Sequence, residues 1–177
     1  HISFEDQHLS VHHRPKLREK SISVSSFGKS FHITGWKIGY HVAPEQLMNE
    51  IKKVHQYLVF SVNSIAQHAI AEYMDHVDVA ALGKFYKEKR DTFRQLLQHS
   101  RFELLPCEGS YFQTVSYASI AKESDLDFTK RLVQDFGVAA IPLSPFYADR
   151  KQTQCIRLCF AKDEETLGKA TERLLSV

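Results

Sequence analysis

The stretch Ser25-Ser26-Phe27-Gly28-Lys29-Ser30-Phe31-His32-Ile33-Thr34-Gly35-Trp36-Lys37-Ile38-Gly39-Tyr40 decides how this chain is read. Just upstream, Ser21 to Ser25 alternates serine with Ile22 and Val24, the period of a strand. Downstream, Trp36 to Val42 alternates through Ile38, Tyr40 and Val42 and predicts a second strand. Lys29 therefore leaves a strand and enters a turn punctuated by Gly28, Gly35 and Gly39, with apolar residues on both sides. A lysine so placed is open to partial desolvation, which favours a nucleophilic amine. Ser26 lies three residues before it and Lys37 eight after, so a hydroxyl and a cation can serve one phosphate beside the amine. The glycines let backbone approach a flat ligand.

Working outward, His8 to Lys20 is polar and basic and reads as a surface loop or short helix. Pro44 and Glu45 open a helix whose apolar positions are Leu47, Ile51, Val54 and Leu58. Asn63 to Met74 predicts a second helix with Ile65, Ala69 and Tyr73 on one side, and Ala80 to His99 a longer third. Strands are expected at Phe102–Pro106, Tyr111–Tyr117, Val138–Ile141 and Cys155–Phe160, with a helix at Asp127–Phe136. Asp163 is placed to cap a closing helix carrying Glu164 and Glu165 in its first turn, with Leu167, Ala170 and Leu174 as its stripe. The class is α/β: residues 1–80 read as the tail of an α/β layer, and 81–177 as a connecting helix and a compact α+β unit.

Hydrophobic residues make up 43% of the 177 and charged residues 25%, which excludes a disordered chain. With 23 Lys and Arg against 21 Asp and Glu the net charge is +2, giving no electrostatic reason to expect nucleic acid or a membrane surface. No apolar run approaches the ~18 residues of a membrane span. An odd count of cysteines, Cys107, Cys155 and Cys159, makes a poor disulfide framework and points to a reducing, cytoplasmic setting. His12, His13 and His32 lack metal-ligand spacing, so no metal is expected. The chain opens at His1 straight into Ile2 and Phe4, with no targeting segment, and reads as a fragment beginning inside a domain.

Two motif matches fail. Gly28-Lys29-Ser30 looks like the end of a phosphate-binding Walker loop, but that motif needs glycine where Ser23 stands. Ser26-Phe27-Gly28-Lys29 fits the S-x-x-K of penicillin-recognising serine hydrolases, with Ser61-Val62-Asn63 as a second element. No Lys-Thr-Gly follows, however, and S-x-x-K should open a helix where this one ends a strand.

The segment resembles the S-x-x-K-x(5)-G-x-[RK]-x-G signature of class I/II aminotransferases, the fold type I enzymes dependent on pyridoxal 5'-phosphate. Lysine at position 37, where arginine is usual, together with Phe31-His32-Ile33-Thr34-Gly35-Trp36-Lys37, is similar to the branch of kynurenine, glutamine-type and methionine aminotransferases. The likeness covers essentially the whole chain but only the C-terminal part of a family member: the end of the large-domain sheet and the small domain. It implies that Lys29 is the Schiff-base lysine and the general base and acid, with Ser26 and Lys37 on the cofactor phosphate. It implies that Arg157, within Cys155-Ile156-Arg157-Leu158-Cys159-Phe160, grips the substrate carboxylate; on a strand, Arg157 also points away from the Ile156, Leu158 and Phe160 face. Phe60 is expected to reach the neighbouring subunit's substrate pocket, and Tyr111, in Gly109-Ser110-Tyr111-Phe112, to lie near the substrate. The implied activity is transamination of amino acids, with methionine, aromatic or kynurenine-like donors, to 2-oxo acids by a homodimer. Alternatives are β-elimination from cysteine conjugates at the same site, or a non-catalytic remnant of the fold. The aspartate that pairs with the cofactor ring is expected just before His1, so the 177 residues alone are expected to be inactive.

Overall fold

The computed structural model describes residues 2–5, 8–79 and 81–177. The described residues divide into two compact units, one of residues 8–79 and the other of residues 2–5 with 81–177.

In the first unit a 3-10 turn (Val11–His13) and a short helix, α1 (Pro15–Arg18), precede an antiparallel ribbon of β1 (Ser23–Ser26) and β2 (Gly39–Val42). The ribbon's register runs from Ser23 opposite Val42 to Ser26 opposite Gly39. A helical turn, α2 (Phe27–Ser30), and a 3-10 turn (Thr34–Trp36) fill the loop between the strands. The second strand thus starts three residues later than its alternation suggests. The cause is local: Trp36 N–H bonds the Ile33 carbonyl, and Lys37 then takes a left-handed conformation at φ 56°. Helices α3 (Glu45–Leu58) and α4 (Ser64–Met74) follow, the latter capped by the Asn63 side chain, which accepts from Ala66 N–H.

Both helices form where their periodicity puts them, but their apolar stripes are not core. Leu58 is 78% exposed and Ile65 81%, Val54 and Tyr73 are also exposed, and Ile70 is the buried residue of α4. A stripe selects a face; burying it requires an opposing apolar surface, and among its described residues the only large apolar side chains this unit buries are Ile38 and Ile70.

The second unit contains α5 (Ala81–Leu97), β3 (Glu103–Leu104), β4 (Phe112–Ser116), α6 (Asp125–Phe136), β5 (Ile141–Pro142), β6 (Cys155–Cys159) and α7 (Glu164–Leu175). Its sheet is antiparallel throughout, in the order β3-β4-β6-β5. Across the central pair, Val115 opposes Ile156 and Gln113 opposes Leu158, and all four are buried. They share a core with Phe93, Phe128, Leu132, Phe160, Leu167 and Leu174. Tyr117 stacks on Phe128 with centroids 4.0 Å apart, and its hydroxyl donates to the Glu123 carbonyl. Buried Gln113 is satisfied by donating to the Leu105 and Thr114 carbonyls and accepting from Arg94. Asp163 caps α7 by accepting from Thr166 N–H and its hydroxyl.

Ile2–Phe4, grouped by sequence order with the first 80 residues, pack instead on this second unit. Ser3 bridges Gly109, Phe4 N–H bonds the Glu108 carbonyl, and Glu5 pairs with Arg90, whose guanidinium lies over the Phe4 ring. Gly109 is required there, because a Cβ would stand 2.5 Å from the Ile2 carbonyl oxygen.

Candidate active site

The three residues expected around a phosphate lie at one end of the β1–β2 ribbon. Ser26 is the last residue of β1, and Phe27 N–H bonds the Ile38 carbonyl, which brings Lys37 back beside the start of α2. The loop is laced shut. Thr34 Oγ1 donates to the Gly28 carbonyl at 3.2 Å, Gly28 is buried with Thr34 Cα where a Cβ would press, and Phe31 N–H closes the turn on the Phe27 carbonyl. Phe27 and Phe31 stack one helical turn apart, at 5.7 Å, and Phe27 also meets Tyr40. At about 100° per residue, position 29 points to the opposite side from both rings, so Lys29 stands exposed. The desolvation expected from the sequence is not supplied by the residues described. The S-x-x-K segment also opens a helical turn after all, contrary to the strand end expected, because Phe27 to Ser30 coil immediately after β1.

Ser26 and Lys37 are exposed, and among the described residues the Ser26 hydroxyl, the Lys29 amine and the Lys37 amine make no side-chain hydrogen bond or ion pair. Lys37 keeps a left-handed backbone, a conformation that costs a non-glycine residue about 1–3 kcal/mol. Phe60 follows α3 with φ 65° and is 81% exposed, so it is not core.

Arg157 and Tyr111 belong to the second unit. The register sets Arg157 opposite Thr114, on the face away from Ile156 and Leu158, as alternation predicts. Its guanidinium meets two rings: Cζ is 4.0 Å from the Phe112 centroid and 5.2 Å from that of Phe146. Its Nε is buried without a partner, and among the described residues no carboxylate pairs with it. Tyr111 is half-buried, with its ring 4.5 Å from Phe112 and 6.0 Å from Tyr86. Burial, then the neighbouring Tyr111, pushes the Tyr86 phenol above its ordinary range.

Sequence reasoning missed Phe112 and Phe146 as partners of Arg157. Phe112 was within reach, since it follows Tyr111 on a strand. Phe146 lies in a loop and carried no signal.

A cavity of about 610 Å³ in the first unit lies between α1 and the start of α3, and none of the residues above lines it. Among the described residues no three His, Cys, Asp or Glu gather to hold a metal ion, the three cysteines are free thiols, and no helix is long and apolar enough to cross a membrane.

Residues 1–174 match the family of class I and II aminotransferases. The chain is 52% identical over 177 residues to methionine aminotransferase of Escherichia coli, covering 98% of this chain and 46% of that protein. It is 31% identical to a kynurenine–oxoglutarate transaminase of Dictyostelium discoideum, covering 94% and 44%. Its fold superimposes on the crystal structure of YbdL from Escherichia coli, identified as having a methionine aminotransferase function, with TM-score 0.93 and 50% identity over 99% of this chain and 47% of that one. N-succinyldiaminopimelate aminotransferase from Mycobacterium tuberculosis gives TM-score 0.87 at 31% identity, again over 99% and 47%. The chain thus spans a little under half the length of the relatives it matches. With the lysine loop, the antiparallel sheet of the second unit and this match in agreement, the chain belongs to the class I and II aminotransferase family.

Proposed function

We propose that this chain carries part of the active site of an enzyme that transaminates amino acids to 2-oxo acids with pyridoxal 5'-phosphate, methionine and aromatic or kynurenine-like amino acids being its donors. The observation that carries the proposal is the arrangement of Ser26, Lys29 and Lys37 at one end of a two-stranded ribbon, in a member of this family. The donor set fits the cofactor. It offers one amine for an aldehyde, and a hydroxyl and a second amine for a phosphate, none of them committed elsewhere among the described residues. When bound, the cofactor supplies an electron sink for the pair left at the substrate Cα.

Lys29 Nζ would hold the cofactor by its aldehyde, and its amine is the group that would take a proton from the substrate Cα and return one. Ser26 Oγ and Lys37 Nζ hold the phosphate, the ammonium as a point charge rather than the two-pronged fork of an arginine. Arg157 binds the substrate carboxylate edge-on, which fixes the substrate's orientation. Phe60 and Tyr111 line the substrate pocket, Phe60 reaching that of a neighbouring copy. The proposed homodimer accounts for the exposed Tyr57, Leu58, Phe60 and Ile65, and the free thiols accord with a cytoplasmic enzyme.

The test uses the full-length protein. Borohydride reduction of the cofactor-loaded enzyme, followed by peptide mass mapping, places the label on Lys29, and Lys29→Ala abolishes both the bound chromophore and formation of a 2-oxo acid from methionine. A label on any other residue, or a chromophore and turnover that survive Lys29→Ala, sinks the proposal.

A further inference from the structure

Phe112 and Phe146 hold the Arg157 guanidinium in different ways. Phe112 lies in β4, two residues before Arg157's cross-strand partner Thr114 and on the same face of the strand. Phe146 is 64% exposed and lies on a 3-10 turn (Ser144–Phe146) between β5 and β6. An exposed ring adds little to a core, so what places it over Arg157 is the turn.

The turn is tied down by an unusual anchor. Ser144 is 1% exposed; its backbone N–H donates to Asp125 Oδ2 at 2.6 Å and its hydroxyl to Asp125 Oδ1 at 2.7 Å. Asp125, the first residue of α6, is itself fully buried. No cation pairs with it among the described residues; burial works against the charge, but the Ser144 N–H and hydroxyl and neighbouring backbone N–H groups outweigh it and hold the carboxyl below its ordinary range. These bonds fix Ser144. From there the Phe146 and Tyr147 N–H groups close the turn on the Leu143 and Ser144 carbonyls.

We propose that Asp125, Ser144 and Phe146 form a positioning relay for Arg157, in which the carboxylate fixes the serine, the serine fixes the turn, and the turn lays the phenyl ring over the guanidinium. Phe146 adds a second ring beside Phe112 against the guanidinium; Nε is already buried, so the terminal Nη groups are the ones left to meet a planar carboxylate. The relay rests on the proposed role of Arg157 and adds residues that touch no substrate.

The experiment uses the full-length, cofactor-loaded protein and two probes. Calorimetry gives the Kd of 3-phenylpropionate, a carboxylate without an amine, and of 2-phenylethylamine, an amine without a carboxylate. Phe146→Ala is expected to weaken 3-phenylpropionate about three- to tenfold, the scale of one cation–π contact, and to leave 2-phenylethylamine unchanged. Phe146→Tyr restores binding. Ser144→Ala reproduces the loss, and combining it with Phe146→Ala adds nothing further. If Arg157→Ala fails to weaken 3-phenylpropionate, the role of Arg157 falls and takes the relay with it. If Arg157→Ala weakens it while Phe146→Ala and Ser144→Ala do not, the relay alone is overturned. Equal weakening of both probes overturns it too, because that is general damage. Phe146→Ala decides the matter even if an Asp125 variant does not fold, since removing an exposed ring leaves no cavity.

Discussion

Gly35, in the loop between the strands, and Gly39, four residues on at the start of β2, have opposite sensitivities. At Gly39 a Cβ would lie 2.4 Å from the Ser25 carbonyl oxygen, about 0.6 Å inside the closest approach real Cβ atoms make, and the obstacle is backbone. Alanine there must push β1 and β2 apart where Ser26 faces Gly39 and Ser25 faces Tyr40. Losing one or two ladder hydrogen bonds at about 1 kcal/mol each, partly offset by the stiffer unfolded chain, predicts a net loss of about 1–2 kcal/mol for Gly39→Ala. At Gly35 no atom lies within 4 Å of the Cβ position, and its φ is ordinary. Gly35→Ala is therefore neutral or stabilising by up to about 1 kcal/mol. The chain's one tryptophan, Trp36, sits beside Gly35 in this loop, so urea unfolding followed by its fluorescence reports on the right place. Cofactor titration of the full-length protein then separates folding from binding. A Gly35→Ala variant that stays stable but loses cofactor affinity marks Gly35 as a point of ligand approach. Equal destabilisation by the two substitutions, or none by Gly39→Ala, refutes the steric argument.

Two further outcomes follow from burial. Leu132 is fully buried and Leu58 is 78% exposed, so Leu132→Ala should cost about 2–5 kcal/mol in urea unfolding of this chain while Leu58→Ala costs under about 0.5 kcal/mol; similar values for the two would contradict the assigned core. Burial, reinforced by the nearby Asp125 and Glu123 carboxylates, pushes the Tyr117 phenol up to about 12. A phenol raised above its ordinary 10 stabilises the fold fully below pH 10, and that contribution is lost as pH rises from 10 through about 12. Alkaline unfolding of Tyr117→Phe should accordingly begin at higher pH than that of the parent, and coincident curves would exclude the linkage.

Local sequence signals located most elements, because they read properties the chain carries with it. Asp163 caps α7, as its place before Glu164 and Glu165 predicts, through bonds from Thr166 only three residues on. The alternation of Cys155 to Phe160 correctly put Arg157 on the face opposite Ile156 and Leu158. The signals failed where a loop folds back on itself or where the answer depends on a distant partner. Trp36 continues a strand-like alternation, yet it joins a 3-10 turn because Thr34 and Gly28 tie the loop to itself. Gly109 also admits the Ile2 backbone, more than a hundred residues away in sequence, a role that nothing local to it signals. Phe146 could not be linked to Arg157 from the sequence, since the link runs through Asp125 and Ser144.

The two units differ in the same way on a larger scale. In α5, α6 and α7 the apolar stripes are also the core, because β4 and β6 turn Val115, Ile156 and Leu158 toward them. In α3 and α4 stripes of the same periodicity remain exposed, because the β1–β2 ribbon offers little to pack against: Val24 and Val42 are themselves exposed. Periodicity measures what a helix could bury; burial is a property of the pair of surfaces. The catalytic candidates follow this division. Arg157 sits in the unit with a completed core and is already aligned by Phe112 and Phe146, whereas Lys29 sits in the unit whose apolar surface is open. On physical grounds the carboxylate subsite can be preformed within its own unit, while the environment proposed for the lysine amine must be supplied by surfaces packed against the ribbon.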